Sequence, residues 1–199
     1  MAKAGDRMTS VETGETFIFV KTNADTHGDL LVVDMEIAPG GGAKAAPVHI
    51  HPRSEERFMI TQGTIKLLLD GRESIHGAGE MLVIPAGAAH TWWNIGDDEL
   101  RFRLEFEPAS GMEYLFESLC GLSQRGMVNK NGQISPLAMA VGLNQFPDAM
   151  YIAGPPVWLQ KVVFKVAAVV GRMVGYKSFY PYNLSKNPAG QKRKPVLMV

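Results

Sequence analysis

Residues 49–63 read HIHPRSEERFMITQG, a stretch that places two histidines close to an acidic pair. His49 and His51 are separated by one residue, so on an extended segment both imidazoles point to the same face. The acidic pair Glu55 and Glu56 follows after a short connection and begins an apolar run. These groups either form a polar loop between two strands or converge as ligands of a metal ion.

A second block of the sequence, GEMLVIPAGAAHTWWN, occupies residues 79–94. Its histidine, His90, follows a Pro-Ala-Gly turn and begins another apolar run. Three imidazoles and one carboxylate are ligands that suit iron, manganese, nickel, copper or zinc. A ligand set of this size leaves coordination positions open for water, a substrate or dioxygen. The two blocks together therefore favour one divalent transition-metal ion per chain.

The chain between residues 16 and 108 alternates between apolar and polar side chains, which is the pattern of β-strands. The segments 30–37, 64–70 and 101–107 each place their apolar residues on one face. Turn signals separate such segments, among them PGGG at 39–42. Several short strands at this spacing predict an all-β sandwich or barrel.

Beyond residue 108 the apolar residues recur at helical spacing. Ser110, with Glu113 three residues later, forms a capping-box pattern that predicts the start of a first helix. Ser135 followed by Pro136 predicts the start of a second helix, because proline is favoured at the first helical position. Residues 154–175 predict a third helix.

These patterns divide the chain into four regions. We expect a polar N-terminal segment at 1–15, a barrel at 16–108, a helical extension at 109–180 and a flexible basic tail at 181–199. The predicted fold class is therefore mainly β, with a single barrel followed by a C-terminal α-helical extension.

The two blocks resemble the paired sequence motifs of the cupin superfamily. The second block matches the pattern G-x5-P-x-G-x2-H-x3-N at every fixed position. The first matches H-x-H-x4-E-x6-G, with one additional residue between its leading glycine, Gly42, and the first histidine. The resemblance covers about the first half of the chain and implies a single cupin β-barrel, a jelly roll also described as a double-stranded β-helix. In metal-binding cupins the matching positions hold the ion, and here they are His49, His51, Glu56 and His90.

Glu55 competes with Glu56 for the role of the carboxylate ligand. The six-residue gap to Gly63 in the family pattern favours Glu56. Glu56 also alternates with Phe58 and Ile60, which we expect to point into the barrel. Glu55 is therefore expected to face outward.

The interior of the predicted barrel is apolar, which favours a pocket for a hydrophobic or aromatic small molecule. The predicted pocket residues are Met35, Phe58, Ile60, Trp92, Phe102 and Leu104. Any barrel core has such a composition, and for Trp92 pocket lining and plain core packing are equal alternatives. The predicted strands carry no inward Lys or Arg, which counts against the sugar-phosphate isomerases and nucleotide-sugar epimerases of the same superfamily.

The resemblance implies a mononuclear-metal oxygenase similar to the small quercetinase-like cupins, a dioxygenase acting on a small apolar or aromatic substrate that bears oxygen groups. In that family the carboxylate ligand can also act as a base on a substrate hydroxyl, and here this role falls to Glu56. Two other classes stay open. One is a non-catalytic cupin that binds or senses a small molecule, and the other is a metal-dependent isomerase or lyase that consumes no dioxygen. The ligand set does not select the metal, although iron is among the candidates.

Composition argues against some partners and predicts a compartment. The chain has 20 Lys and Arg residues against 20 Asp and Glu, so its formal net charge is zero and nothing indicates nucleic-acid binding. Its single cysteine, Cys120, cannot form an internal disulfide, which fits a reducing compartment. The N-terminus shows no signal-peptide pattern and no segment predicts a membrane-spanning helix, so we expect a cytoplasmic protein.

The third predicted helix has an unusually wide apolar arc. Lys161, Lys165 and Arg172 fall in one narrow stripe, and nearly all other positions are apolar. Such an arc has to be covered by the barrel, by a second subunit, or by a membrane surface with Trp158 near the headgroups. Protein packing is favoured, because the other two helices also need a partner, and peripheral membrane contact through residues 156–175 is the alternative.

A homodimer is expected from the resemblance, because cupins commonly dimerise through the edge strands of the barrel. Residues 16–21, TFIFVK, are the candidate for an edge or exchanged strand. A small molecule and a second copy of the chain are therefore the expected partners.

Overall fold

A computed structural model describes residues 1–42 and 47–186, so most of the basic tail predicted at 181–199 lies outside the described residues. Within these ranges the chain forms two antiparallel sheets followed by helices. The elements are β1 (Arg7–Ser10), β2 (Glu15–Lys21), α1 (Asn23–Thr26), β3 (Leu31–Ile37), β4 (His49–Ile50), β5 (Glu55–Gln62), β6 (Thr64–Leu69), β7 (Arg72–Gly77), β8 (Met81–Ile84), β9 (His90–Asn94), β10 (Leu100–Glu107), α2 (Met112–Ser123), α3 (Pro136–Gln145), β11 (Tyr151–Ile152), α4 (Val157–Met173) and a short 3-10 helix (Leu184–Lys186). The six-stranded sheet has the order β1-β2-β3-β10-β5-β8, and the five-stranded sheet has the order β11-β4-β9-β6-β7.

The inner faces of the two sheets bury the apolar side chains that alternate along the strands. In the six-stranded sheet, Phe102 of β10 lies opposite Met35 of β3 and Ile60 of β5. Trp92 of β9, in the other sheet, contacts the ring of Phe102 with the ring centroids 5.1 Å apart. One core cluster therefore contains residues of both sheets. The predicted mainly-β barrel with a C-terminal helical extension is confirmed.

The N-terminal segment contains a strand that the sequence pattern did not indicate. Strand β1 pairs antiparallel with β2, and its Met8 is buried opposite Phe17. The prediction that residues 16–21 form an edge strand is therefore wrong within the described chain, because β2 lies between β1 and β3. The sequence of β1, RMTS, has a single apolar residue, which is too little for alternation to reveal a strand.

The three predicted helices are present as α2, α3 and α4, with one difference at the start of α2. Gly111, with a φ of 83°, precedes this helix and provides no side-chain cap, so the capping box predicted at Ser110 is wrong. The carboxylate of Glu113 instead accepts a hydrogen bond from the backbone N–H of Asn23 at 2.6 Å. This contact ties α2 to the start of α1. Helix α3 begins at Pro136, as predicted.

The extension returns to the barrel as a strand. Strand β11 pairs antiparallel with β4, with Tyr151 opposite Ile50 and Ile152 opposite His49. The five-stranded sheet therefore ends in a strand that the extension supplies. Because β11 is two residues long and follows two helices, no alternation in the sequence could assign it to the sheet.

Candidate metal centre

The four side chains singled out by the sequence motifs come together inside the barrel, and we refer to His49, His51, Glu56 and His90 as the candidate metal centre. His49 of β4 lies opposite His90 of β9 in the antiparallel ladder, whereas Glu56 belongs to β5 of the other sheet. All four side chains are buried, with relative exposures of 7% or less. One ligand atom from each of the three histidines lies within 4.8 Å of the other two. These three imidazoles could therefore hold one metal ion.

The imidazoles of His49 and His90 are oriented by their own segments of chain. Nδ1 of His49 donates to the carbonyl of Pro47 at 3.1 Å, and Nδ1 of His90 donates to the carbonyl of Ala88 at 3.0 Å. Because a carbonyl oxygen only accepts, each Nδ1 carries a proton and each Nε2 of the neutral ring keeps its lone pair. In both cases the carbonyl lies two residues before the histidine, so the local backbone sets the tautomer.

His51 is oriented by the helical extension rather than by the barrel. Its Nδ1 donates to the carbonyl of Ala149 at 2.6 Å, 98 positions away in the sequence. The ring also packs edge-on against Phe106, with the ring centroids 5.0 Å apart. The extension thus fixes the ring of a candidate ligand, and outer partners of this kind influence metal affinity strongly.

Glu56 supplies a carboxylate to the same point. Its Oε2 lies 2.8 Å from Nε2 of His90 and 3.6 Å from Nε2 of His51. The shorter contact lacks hydrogen-bond geometry, and Oε2 of Glu56 and Nε2 of His90 are both buried without a hydrogen-bond partner. Two buried lone-pair atoms that face each other are costly unless a cation lies between them. The residues present therefore fit a bound metal ion.

Burial keeps two of the imidazoles neutral. It lowers the pKa of His49 to about 4, with a smaller contribution from the nearby charge of His90. It also lowers the pKa of His51 well below its ordinary value. Burial acts in the same direction on His90, but the combined contacts, chiefly with the Glu56 carboxylate, outweigh it and raise the pKa of His90. A proton can therefore take the place between His90 and Glu56, while His49 and His51 stay in the neutral form that binds metals.

The neighbouring acid, Glu55, points away from the candidate metal centre. Its side chain is partly exposed and forms an ion pair with Arg57 at 2.6 Å. Arg57 also lies 2.8 Å from the carboxylate of Glu107 on the outer face of the sheet. The structure therefore places Glu56 inward and Glu55 outward, in the arrangement expected from strand alternation.

A cavity of about 1000 Å³ opens beside the candidate metal centre. The predicted pocket residues that line it are Met35, Trp92 and Leu104. The other three predicted pocket residues, Phe58, Ile60 and Phe102, are buried in the core. The rings of Phe58 and Phe102 contact Trp92, with centroids 5.9 and 5.1 Å away. Trp92 therefore combines the two alternatives, because it both lines the cavity and packs in the core.

Much of the cavity wall comes from the extension, which the sequence interpretation did not assign to the pocket. The apolar side chains on this wall include Leu115, Leu119, Met139, Leu143, Phe146 and Met150. Helical spacing of apolar residues was visible in this part of the sequence, but periodicity does not show what a helix packs against.

Glu15 is a second acid on the cavity wall that the sequence interpretation missed. It is the first residue of β2, and its side chain is buried on the same face of the strand as that of Phe17. Desolvation raises the pKa of Glu15 to about 7, although a hydrogen bond with Thr13 acts in the opposite direction. Its alternation with Phe17 was the signal that could have placed it inside the barrel.

Comparisons with known proteins agree with the sequence motifs. Residues 33–106 match the family described as Cupin domain. The quercetin 2,3-dioxygenase of Bacillus subtilis (strain 168) is 31% identical over an alignment of 85 residues, and the match covers 40% of this chain and 25% of that protein. A probable oxidoreductase, virH, of Hypocrea virens is 27% identical over an alignment of 153 residues, and the match covers 70% of this chain and 68% of that protein. Among solved structures, a predicted oxalate decarboxylase from Thermotoga maritima is 18% identical and covers 54% of this chain and 98% of its own, with a TM-score of 0.46.

These matches differ in the part of the chain they cover. The chain spans only a quarter of the length of the B. subtilis protein, so that similarity concerns a domain. The match with the H. virens protein includes 70% of this chain, whereas the cupin-domain match ends at residue 106. The similarity to the H. virens protein therefore continues beyond the barrel strands into the helical extension.

Proposed function

We propose that this chain, which carries a cupin domain over residues 33–106, is a mononuclear-metal oxygenase acting on a small apolar or aromatic substrate that bears oxygen groups. One observation carries the proposal. Three imidazoles and one carboxylate converge, buried, beside a cavity of about 1000 Å³ with mostly apolar walls. Similarity over 85 residues to a quercetin 2,3-dioxygenase supports the choice of reaction.

His49, His51 and His90 would hold the ion through their imidazoles, and Glu56 through its carboxylate. A bound iron, manganese, nickel, copper or zinc ion supplies Lewis acidity toward the oxygens of the substrate, and a redox-active metal also supplies electron exchange with dioxygen. The feature of this chain that favours an ion is the pair of buried atoms, on Glu56 and His90, that have no hydrogen-bond partner.

Glu56 is assigned a second role as a base. It lines the cavity, and its Oε2 has no hydrogen-bond partner, so it can accept the proton of a substrate hydroxyl. Loss of that proton leaves an anionic substrate oxygen, which is a stronger ligand and is easier to oxidise. Leu104 and Phe106 on the cavity wall exclude water from these atoms and thereby strengthen the electrostatic interactions.

Dioxygen consumption tests this proposal directly. The full chain, stripped of metal and reloaded with each candidate metal in turn, is assayed with a panel of flavonols and catechols. We expect dioxygen uptake with at least one metal, and a rate at least about 100-fold lower for Glu56→Gln, which cannot accept the proton. Glu55→Gln is the matched control, because it changes the adjacent acid on the outer face, and it should keep the wild-type rate.

Two results would contradict the proposed reaction and identify a different class. Tight binding of a panel compound with no turnover under any metal would favour a binding or sensor protein. Conversion of a substrate without dioxygen uptake would favour a metal-dependent isomerase or lyase.

A further inference from the structure

Helix α4 presents a continuous apolar face to solvent. The exposed aliphatic and methionine side chains include Val162, Val163, Val166, Val169, Val170 and Met173. Trp158, in the first turn of the helix, is 68% exposed. These side chains therefore do not pack on the barrel, and the prediction that the barrel covers the apolar arc is wrong for them. An exposed apolar patch of this extent marks an interaction surface.

The opposite face of α4 is fixed to the rest of the extension, so the apolar face cannot turn inward. A Cβ added to Gly171 would lie 2.6 Å from Cγ2 of Val141 in α3, so the two helices are in close contact. Near the other end, Nε2 of Gln160 donates to the carbonyls of Ile152 and Pro155 at 2.8 Å each. The exposed face is therefore held in a defined orientation.

The charges of α4 lie along one edge of the apolar face. At 100° per residue, Lys161, Lys165 and Arg172 fall within about 40° of one another, between the buried face and the exposed apolar arc. The helix contains no acidic residue. Within residues 1–42 and 47–186, none of these three cations forms an ion pair with a carboxylate.

We propose that α4 binds the surface of an anionic lipid bilayer. Its apolar side chains would enter the boundary between headgroups and acyl chains, while Trp158 and the basic stripe contact the headgroups. None of the helices in the described residues is long and apolar enough to cross a membrane. Charge complementarity favours a bilayer over a second copy of α4, because the second copy would add three more cations and no acid. The inference does not depend on the proposed reaction.

Flotation of the full chain with liposomes tests this inference. We expect binding to vesicles with about one third phosphatidylserine, weaker binding to pure phosphatidylcholine, and release at high salt. Val166→Glu should weaken binding to the anionic vesicles at least about tenfold, because it places a carboxylate in the apolar face. Ile75→Glu is the matched control, since Ile75 on β7 is 62% exposed and Val166 is 63% exposed. Lys165→Gln should weaken binding about fivefold on anionic vesicles and leave binding to neutral vesicles unchanged.

Three outcomes would overturn the inference. The first is equal flotation of the wild type and Val166→Glu, and the second is binding of the wild type that does not depend on anionic lipid. The third is concentration-dependent self-association without lipid, lost in Val166→Glu and accompanied by no flotation, which would assign the face to a second copy of the chain. Metal content and near-UV circular dichroism of each variant show whether its fold is intact.

Discussion

Strand β10 of the barrel buries its apolar side chains, whereas helix α4 of the extension exposes most of its large ones. Along β10 the four inward apolar side chains are at most 2% exposed. Along α4 the buried residues are Gln160, Ala168 and Gly171, and most large apolar side chains are exposed. The barrel is therefore held by burial of large side chains. Helix α4 is held by small residues in close contact, by one amide side chain and by the partly buried ring of Phe164, which stacks on Tyr151.

Both regions nevertheless position the candidate metal centre. The barrel supplies its four side chains, and the extension supplies the carbonyl of Ala149 to His51 and a strand beside His49. Burial of a large apolar side chain contributes about 1.5–3 kcal/mol, whereas a hydrogen bond contributes about 0.5–1.5 kcal/mol. We therefore expect changes in the extension to alter metal affinity while the barrel stays folded.

The largest effect is expected from removing a ligand that both regions hold in place. His51→Ala removes an imidazole and leaves the Ala149 carbonyl without its donor. Metal analysis of freshly purified protein should give about one ion per chain for the wild type and almost none for the variant, with an affinity at least about 100-fold lower.

His76→Ala is the control for the loss of a histidine. His76 lies on β7 and contacts Glu80 and Ser74, outside the candidate metal centre. The His76→Ala variant should therefore have the metal content of the wild type. Equal metal content in His51→Ala and the wild type would refute the assignment of His51 as a ligand.

The two regions also differ in how far the sequence predicts them. Alternation has a period of two residues, so the inward set from Met35 to Phe106 and the choice of Glu56 over Glu55 could be read from short stretches. The contact of Ala149 with His51 could not be predicted from the sequence, because it is made by a backbone carbonyl, which every residue type carries. The strand β1 was missed for a related reason, since a single buried Met8 in four residues gives no period.

The next largest effect is a pH-dependent change in stability due to Glu15. Measuring it tests whether the extension covers the barrel face on which Glu15 lies. The pKa of the folded-state carboxyl is raised from 4.5 to about 7, so the folded protein holds the proton more tightly than the unfolded chain does. The associated stability is fully present below pH 4.5 and is lost as the pH rises to about 7, a change of about 3 kcal/mol. Glu15→Gln should therefore become more stable relative to the wild type across this window.

Urea unfolding at a series of pH values measures this difference. The buried histidines titrate in both proteins, so their contributions cancel when the two free energies of unfolding are subtracted. A difference that does not change with pH would mean that Glu15 is solvated. It would also mean that α2 does not cover Glu15, although the charge of Glu15 contributes to the raised pKa of Cys120 in that helix.

Gln160 gives a smaller effect that separates metal affinity from stability. Its side chain binds both the N–H and the carbonyl of Ile152, the residue that pairs with His49. Gln160→Ala should lower metal affinity about 10-fold or more and lower the free energy of unfolding by about 1–3 kcal/mol, because it leaves the partly buried backbone groups of Ile152 without their partners.

Gln124→Ala is the matched control for Gln160→Ala. Gln124 also binds both backbone groups of one residue, Asn183, at 2.8 and 3.0 Å, but away from the candidate metal centre. The Gln124→Ala variant should lower the free energy of unfolding without lowering metal affinity. If both variants lost metal affinity equally, the extension would act through general stability and not through the strand beside His49.

The smallest effect should distinguish close packing of α4 from simple helix propensity. A Cβ at Gly171 would meet Val141 Cγ2 at 2.6 Å and the carbonyl oxygen of Leu137 at 3.0 Å, whereas a Cβ at Gly142 of α3 would have its nearest contact at 4.0 Å. Gly142→Ala should therefore stabilise the chain by about 0.5–1 kcal/mol, since alanine has the better helix propensity. Gly171→Ala gains the same propensity but has to push α4 from α3, and overpacking of about 1–3 kcal/mol should leave it destabilised. Thermal unfolding of the two variants measures the opposite signs, and two stabilised variants would mean that α4 adjusts freely against α3.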